Sequence, residues 1–290
     1  MTVKIEELPA MLLAYQNRWT ERDARMAVMA SVVAGDWSVA GEDGYNMENR
    51  SPNIIQVALE DTAEAASLVP SLRAKPSGGT KRKVEQASKM EMIGASYFDQ
   101  SQIELLIISK MLNLAAYGMY SLIAVVNEET GTPYLQWRDP RTCYPEPGWN
   151  PMDSTKRCMF VRELYVSQLP EGYQTKVYMS SADKRRQTSE FWNDKKVQLV
   201  EYYDADELIV AALYKSTTGY TPTGSASWVP IELHREKTIG GICPVVIQQR
   251  ISLDHEPRGQ FDQVVDVMTA HIRLMGTVLD YADQAVYSDV

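Results

Sequence analysis

The chain has 290 residues, of which 44% are hydrophobic and 23% are charged, and this composition is typical of a globular protein rather than a disordered one. Its 29 basic and 38 acidic residues give a formal charge of −9. That charge argues against a protein that grips duplex DNA, because such a protein needs a basic surface to neutralise phosphates, but it does not exclude one that lets DNA slide past.

The first half of the chain has the apolar spacing of α-helices. One helix is predicted over 6–34, with Arg22 placed off its apolar stripe. A second is predicted over 53–68, after a polar loop at 41–52. A long helical region is then expected over 81–117.

The middle of the chain has the shorter patterns of antiparallel strands. A β-hairpin is predicted from 119–127 and 134–137. Further strands are predicted at 159–166, 174–179, 197–203, 207–214 and 242–248. The segment 180–196 is expected to be a charged hairpin, and 216–227 an exposed loop.

The last segment, 260–286, is predicted to be the most regular helix of the chain, and about two-thirds of its circumference is apolar or small. Such a helix should be buried on several sides, by this chain or by neighbouring copies. Its narrow polar stripe consists of Asp262, Asp266, Arg273, Thr277, Asp280 and Gln284. The predicted fold class is therefore α+β, with a helical N-terminal half, an antiparallel β middle and a terminal amphipathic helix.

The sequence contains no phosphate-binding loop, no nucleophile elbow and no helical zinc motif, so we predict no catalytic, cofactor-binding or metal-binding residues. His271 is interpreted as a core or interface histidine. Cys143 and Cys158 are predicted to be neighbouring buried thiols. The basic runs at 81–83 and 184–186 are interpreted as isolated solvated patches.

Four stretches carry a resemblance to a known family. Residues 53–63 resemble the pattern N-x-I-x-x-V-V-D-x-x-A, and residues 114–120 resemble A-x-x-Y-G-x-x-Y. Residues 138–141 contain a D-P turn. Residues 240–246 resemble G-x-x-P-V-V and precede Gly259 and an amphipathic helix. In this order the stretches resemble those of the portal proteins of tailed bacteriophages.

The resemblance implies a subunit of the ring at the capsid vertex, the head-to-tail connector. Residues 1–250 would form an α+β wing, and residues 251–290 the first stem helix, leading toward a clip that lies outside this chain. The ring would be a homo-oligomer, usually of twelve subunits, whose channel passes double-stranded DNA without sequence readout during packaging and ejection. Further implied partners are the terminase large subunit, the major capsid or scaffolding protein and a head-tail adaptor.

The same resemblance implies a location in the virion after assembly in the host cytoplasm, no contact with a membrane, no cofactor and no enzymatic activity. Asp262, Asp266, Asp280 and Gln284 would then be candidates for a channel-lining or intersubunit stripe. The same four residues also fit an ordinary solvated helix face.

Two alternatives remain open from the sequence. One is a metal-dependent nuclease that uses the acidic cluster Asp204, Asp206 and Glu207, since hard cations bind clustered carboxylates; the cluster is equally consistent with a solvated turn between strands. The other is a virion structural protein that assembles through its last helix but conducts no DNA.

Overall fold

The computed structural model describes residues 3–35, 53–127, 130–181, 184–216, 227–238, 241–250, 252–254 and 256–287. The predicted loop at 41–52 lies outside these residues. The predicted loop at 216–227 does so as well, apart from its two end residues, which belong to strands.

The fold is α+β, as predicted. The helices are α1 (Leu8–Val33), α2 (Ile54–Ala66), α3 (Lys81–Gln100), α4 (Ile103–Tyr117), α5 (Glu171–Met179), α6 (Ser189–Trp192) and α7 (Val265–Tyr287). The strands are β1 (Met119–Val126), β2 (Pro133–Arg138), β3 (Cys143–Pro145), β4 (Cys158–Tyr165), β5 (Lys196–Tyr203), β6 (Glu207–Ser216), β7 (Ser227–Lys237) and β8 (Val245–Gln249). One sheet has the strand order β2–β1–β8, and the other has the order β3–β4–β5–β6–β7.

The chain divides into two compact units. The first contains residues 1–20 and 142–247, and the second contains residues 21–141 and 248–290. These boundaries differ from the division into 1–250 and 251–290 that the sequence suggested for a wing and a stem helix, and that division remains a prediction.

The first unit is built on the five-stranded antiparallel sheet. Alternate residues of β5, β6 and β7 face a core that α5 and α6 complete, because successive strand side chains point to opposite faces. Val177 of α5 and Trp192 of α6 are buried in it beside Leu199 and Leu233. This core fixes the short helices against the sheet.

The second unit has a helical core made by α1, α2, α4 and α7. Asn53 caps α2, since its side chain accepts a hydrogen bond from the Gln56 amide at 3.1 Å and donates one to the Val32 carbonyl at 2.8 Å. The cap thereby ties the start of α2 to the end of α1. The predicted hairpin is confirmed, with Leu122 of β1 opposite Trp137 of β2.

Two sequence predictions about element type are wrong. Residues 174–179 are predicted as a strand but belong to α5, and the predicted hairpin at 180–196 instead contains a 3-10 turn and α6. The reason is packing: the helix buries Val177 in the core, which outweighs the β-propensity of Thr, Val and Tyr in this segment.

Boundaries and one burial assignment also differ. The helical region 81–117 is interrupted at Gln102, whose φ of 48° is left-handed, so α3 and α4 are separate helices. Strand β7 was not predicted, and the last helix begins at Val265 rather than at 260. Arg22 is buried, because it follows Trp19 by three residues and precedes Met26 by four and therefore lies on the apolar stripe.

Candidate functional site

The terminal helix α7 carries two apolar stripes on opposite sides. Val265, Thr269 and Ile272 are buried, and the two aliphatic residues join the core of the second unit. The other stripe consists of four side chains that are 54–71% exposed: Val267, Leu274, Val278 and Tyr281. At 3.6 residues per turn this stripe lies about 180° around the helix from the buried one. Among the described residues, core packing covers one side of α7 and leaves this stripe exposed.

The polar residues of α7 lie between the two stripes. Asp266, Arg273 and Thr277 are exposed. The side chains of Asp280 and Gln284 lie outside the described part of the chain, so their predicted place in a channel-lining or intersubunit stripe remains a prediction.

Asp262 differs from the rest of the predicted stripe because it precedes the helix. Its Oδ2 atom accepts a hydrogen bond from the Gly259 amide at 2.9 Å, and it is half-buried. Burial raises the pKa of this carboxyl above its ordinary value. Asp262 therefore holds the backbone turn that leads into α7.

The segment before α7 is fastened to the junction between α4 and β1 by backbone hydrogen bonds. The Gln260 amide donates to the Ala115 carbonyl at 2.7 Å, and the Arg250 amide donates to the Gly118 carbonyl at 2.8 Å. A Cβ atom at Gly118 would lie 2.3 Å from the Arg258 carbonyl oxygen, and one at Gly259 would lie 2.1 Å from that of Ala116. Both glycines are required by this close approach.

The junction belongs to one of the four portal-like stretches, and the segment before α7 follows another. Residues 114–120 contain Gly118, and Gly259 follows the stretch at 240–246. Gly118 also has a φ of 69°, which closes α4 in the left-handed conformation that favours glycine. The sequence resemblance therefore marks residues that position the terminal helix.

His271 is exposed on α7, so the interpretation as a core histidine is wrong for a single copy of the chain. His271 lies between the buried and the exposed stripes of α7, and its interpretation as an interface histidine remains a prediction.

The acidic cluster proposed for a nuclease is engaged in internal hydrogen bonds. The Oδ1 atom of Asp204 accepts from the Asp206 and Glu207 amides, both at 2.7 Å, and its Oδ2 atom accepts from the Tyr202 hydroxyl at 2.8 Å. Glu207 accepts from the Val3 amide at 2.7 Å. Within the described residues, no group of three histidine, cysteine, aspartate or glutamate side chains could hold a metal ion. Asp204 and Glu207 are structural in this arrangement, since their lone pairs satisfy buried donors.

The three cysteines are buried thiols in the first unit. The Sγ atoms of Cys143 and Cys158 lie 3.5 Å apart, which confirms that these two residues are neighbours. Burial raises the pKa of Cys243 to about 11, so its thiol is protonated and unreactive at neutral pH.

One of the basic runs is part of a larger arrangement that the sequence did not indicate. Arg186 lines a cavity of 420 Å³ together with Lys195, Lys196 and Lys215. Lys195 and Lys196 are adjacent, but Arg186 and Lys215 come from other segments, and no motif links the three positions. The one local signal is the aromatic pair Phe191 and Trp192, which lies between Arg186 and the adjacent Lys195 and Lys196.

No protein-family model matches this chain, and no curated protein matches it significantly in sequence. Among the helices of the described segments, none combines the length and the apolar character needed to cross a bilayer.

Proposed function

We propose that this chain is a portal-protein subunit, comprising the wing and the first stem helix of the ring through which DNA enters and leaves a tailed-phage capsid. The observation that carries the proposal is the exposed apolar stripe of α7, formed by Val267, Leu274, Val278 and Tyr281. A helix that is apolar on two opposite sides needs two partners. A closed ring of identical subunits supplies the second partner at every position.

The junction beneath α7 gives independent support. In the portal resemblance, the stretch around Gly118 is a helix-to-strand junction, and Gly259 precedes the stem helix. Here Gly118 and Gly259 allow two backbone segments to pack so closely that no side chain fits between them. In this proposal the close packing anchors the base of the stem helix.

The net negative charge of the chain fits a channel through which DNA slides better than a protein that binds duplex DNA tightly. With a formal charge of −9, the subunit as a whole disfavours close binding of the DNA backbone, and a channel that conducts DNA functions by letting the duplex slide. In this proposal the subunit is not an enzyme, and the ATPase chemistry of packaging belongs to the terminase that docks on the ring. The capsid or scaffolding protein and the head-tail adaptor are the other proposed partners, and the virion vertex is the proposed location.

A virion structural protein that conducts no DNA is the alternative closest to this proposal, because the same stripe of α7 would drive its assembly. The two functions differ in one structural feature: a portal ring has a central hole wide enough for a DNA duplex, and the non-conducting protein does not need one. The nuclease alternative has no supporting observation, since Asp204 and Glu207 are engaged in hydrogen bonds within the chain. Incubation of DNA with the protein and Mg²⁺ or Mn²⁺ is expected to give no cleavage.

The experiment that tests the proposal is mass photometry of the purified protein combined with negative-stain imaging, performed on this chain and on the full gene product where the reading frame is longer. The expected result is a closed ring of about a dozen subunits with an axial hole wide enough for a duplex. A closed assembly without a hole would favour the non-conducting structural protein. A full-length product that stays monomeric or dimeric would contradict both.

A further inference from the structure

A cavity at one end of the five-stranded sheet is positively charged, although the chain as a whole is acidic. Glu163 is the one acidic side chain among the described residues that line it, and Glu163 is paired with Lys196 at 3.2 Å. Arg186, Lys195 and Lys215 line the same cavity. Its wall therefore carries more positive than negative charge, in a protein whose formal charge is −9.

Aromatic rings hold these cations in place. The Nζ atom of Lys215 lies 5.1 Å from the ring centre of Trp228, and that of Lys195 lies 5.3 Å from the ring centre of Phe191. The guanidinium of Arg186 also lies over Phe191, at 5.4 Å. A cation–π contact orients a cation without cancelling its charge, so the positive charge of Lys195 and Lys215 remains directed at the cavity.

The backbone around these side chains is fixed by the sheet and by α6. Lys215 and Trp228 are directly opposite each other in the β6–β7 ladder. The Lys195 amide donates to the Trp192 carbonyl at 2.9 Å, and the Lys195 carbonyl accepts from the Val166 amide at 3.0 Å. The backbone that carries the charged wall is therefore held in place by the sheet and by α6, although the lysine side chains themselves are exposed.

An aromatic layer supports the wall from within. Trp192 is buried, and its ring makes edge-to-face contacts with Phe191 and Tyr214, each with ring centres 5.2 Å apart. The Trp192 indole N–H donates to the Arg186 carbonyl at 2.5 Å, which ties the 3-10 turn carrying Arg186 to α6. The half-buried indole of Trp228, by contrast, is part of the cavity lining.

We propose that this cavity binds a nucleoside phosphate, with its phosphates beside Lys195 and Lys215 and its base against the part of the Trp228 indole that Lys215 does not cover. Phosphate groups concentrate several negative charges in a small volume, which matches cations gathered in one cavity. Any of the nucleobases can stack on an indole, because each base has a flat aromatic face. The volume of 420 Å³ lies within the range of about 300–1,000 Å³ that is usual for small-molecule sites.

The ligand can be a free nucleotide or one nucleotide of a single strand, since both present the same base and phosphate. The inference does not depend on the portal proposal, because binding at this cavity requires neither a ring nor a channel. If the protein forms no ring, nucleotide binding at the cavity is still tested by titration, and if no nucleotide binds, the portal proposal is still tested by imaging.

The test is calorimetric titration of the purified protein with ATP, with a thymidine oligonucleotide, with adenosine and with pyrophosphate at low salt. ATP or the oligonucleotide is expected to bind with a dissociation constant below about 1 mM, and the tighter of the two identifies the source of the nucleotide. Lys195→Gln and Lys215→Gln should each weaken binding at least about fivefold, because each removes one charge beside the phosphates. Adenosine, which has no phosphate, should bind much more weakly.

Lys237→Gln is the matched control. Trp228 lies at the start of β7 and Lys237 at its other end, so this change removes one positive charge from the same strand but away from the cavity. It should leave the affinity unchanged. The absence of binding by both ATP and the oligonucleotide below about 1 mM would overturn the proposal, as would affinities that Lys195→Gln and Lys215→Gln do not change. Pyrophosphate that binds as tightly as ATP, or Trp228→Leu with unchanged ATP affinity, would overturn the assignment to a nucleoside phosphate.

Discussion

Arg235 and Glu207 form an ion pair across β6 and β7, with Nη1 2.6 Å from Oε2, and together they hold the N-terminal segment of the chain. The Val3 amide donates to Glu207 at 2.7 Å, and the Val3 carbonyl accepts from the Arg235 guanidinium at 3.2 Å. Arg235 also pairs with the more exposed Glu232 at 2.9 Å. One arginine thus has a buried and an exposed carboxylate partner.

Glu207→Ala should lower the free energy of unfolding by about 1–3 kcal/mol, because it leaves the Val3 amide and one face of Arg235 without their buried acceptor. Glu232→Ala, the matched control on the same arginine, should cost less than about 1 kcal/mol, since its carboxylate is exposed to solvent. Urea denaturation followed by circular dichroism measures both. Equal losses from the two variants would show that burial does not distinguish these pairs.

Gly259→Ala should destabilise the second unit by more than about 2 kcal/mol, because the new methyl group would lie 2.1 Å from the Ala116 carbonyl oxygen and the backbone would have to move. Gly276→Ala is the control, since Gly276 lies within α7 and, apart from its chain neighbours and the backbone of its own helix, the added Cβ would meet nothing within 4 Å. That change should stabilise the helix by about 0.5–1 kcal/mol. Thermal unfolding of the two variants should therefore shift in opposite directions.

Asp262→Asn should stabilise the protein at neutral pH. Burial raises the pKa of this carboxyl, so its charged form is penalised in the folded state, and an amide can still accept the hydrogen bond from Gly259. The penalty disappears as the pH falls through the raised pKa toward the ordinary pKa of 3.8, because both states then bind the proton. Stability measured from pH 7 to pH 3 should show the two proteins converging; a constant difference would contradict this account.

Cys243 should make the protein less stable at alkaline pH. Its thiol pKa is raised from the ordinary 9.0 to about 11, so the unfolded chain loses this proton before the folded one does. The stability contributed by the buried neutral thiol is complete below pH 9 and is lost as the pH rises to about 11. Cys243→Ala should flatten the pH dependence of the urea midpoint in this window. Parallel profiles of the two proteins would be inconsistent with a buried neutral thiol.

Leu274→Glu should prevent or strongly weaken self-assembly, because it places a charge in the exposed apolar stripe of α7. Leu13→Glu is the matched control: Leu13 also lies within a helix, and the two side chains are 59% and 62% exposed. Mass photometry should show smaller particles for the first variant alone. If both variants assemble like the unmodified chain, the α7 stripe is not the subunit interface.

The helices of the first half and most of the strands follow from local sequence. The stripe through Leu8 and Trp19 and the cap at Asn53 are visible in the spacing and chemistry of neighbouring residues. The hairpin of β1 and β2 is predictable for the same reason, because two β-rich runs flank a short polar turn. Such elements depend on residues within a few positions of one another.

The segment 171–179 could not be assigned in this way. Its Thr, Val and Tyr residues favour a strand locally, and only the contact of Val177 with the core of the first unit makes a helix the better solution. For Arg22 the local spacing gave the correct answer. The spacing places Arg22 on the apolar stripe of α1, but its charge led to the prediction that it is exposed.

The sequence by itself determined the fold class, the terminal helix and its excess of apolar surface, since these depend on composition and on periodicity along one stretch of chain. The tertiary structure alone decided which stripe of α7 is buried and which is exposed in the described part of the chain. It also decided that Lys215 faces Trp228 and that Arg186 and Lys195 line the same cavity. These relationships join residues of different structural elements, and only strand pairing and core packing bring such residues together.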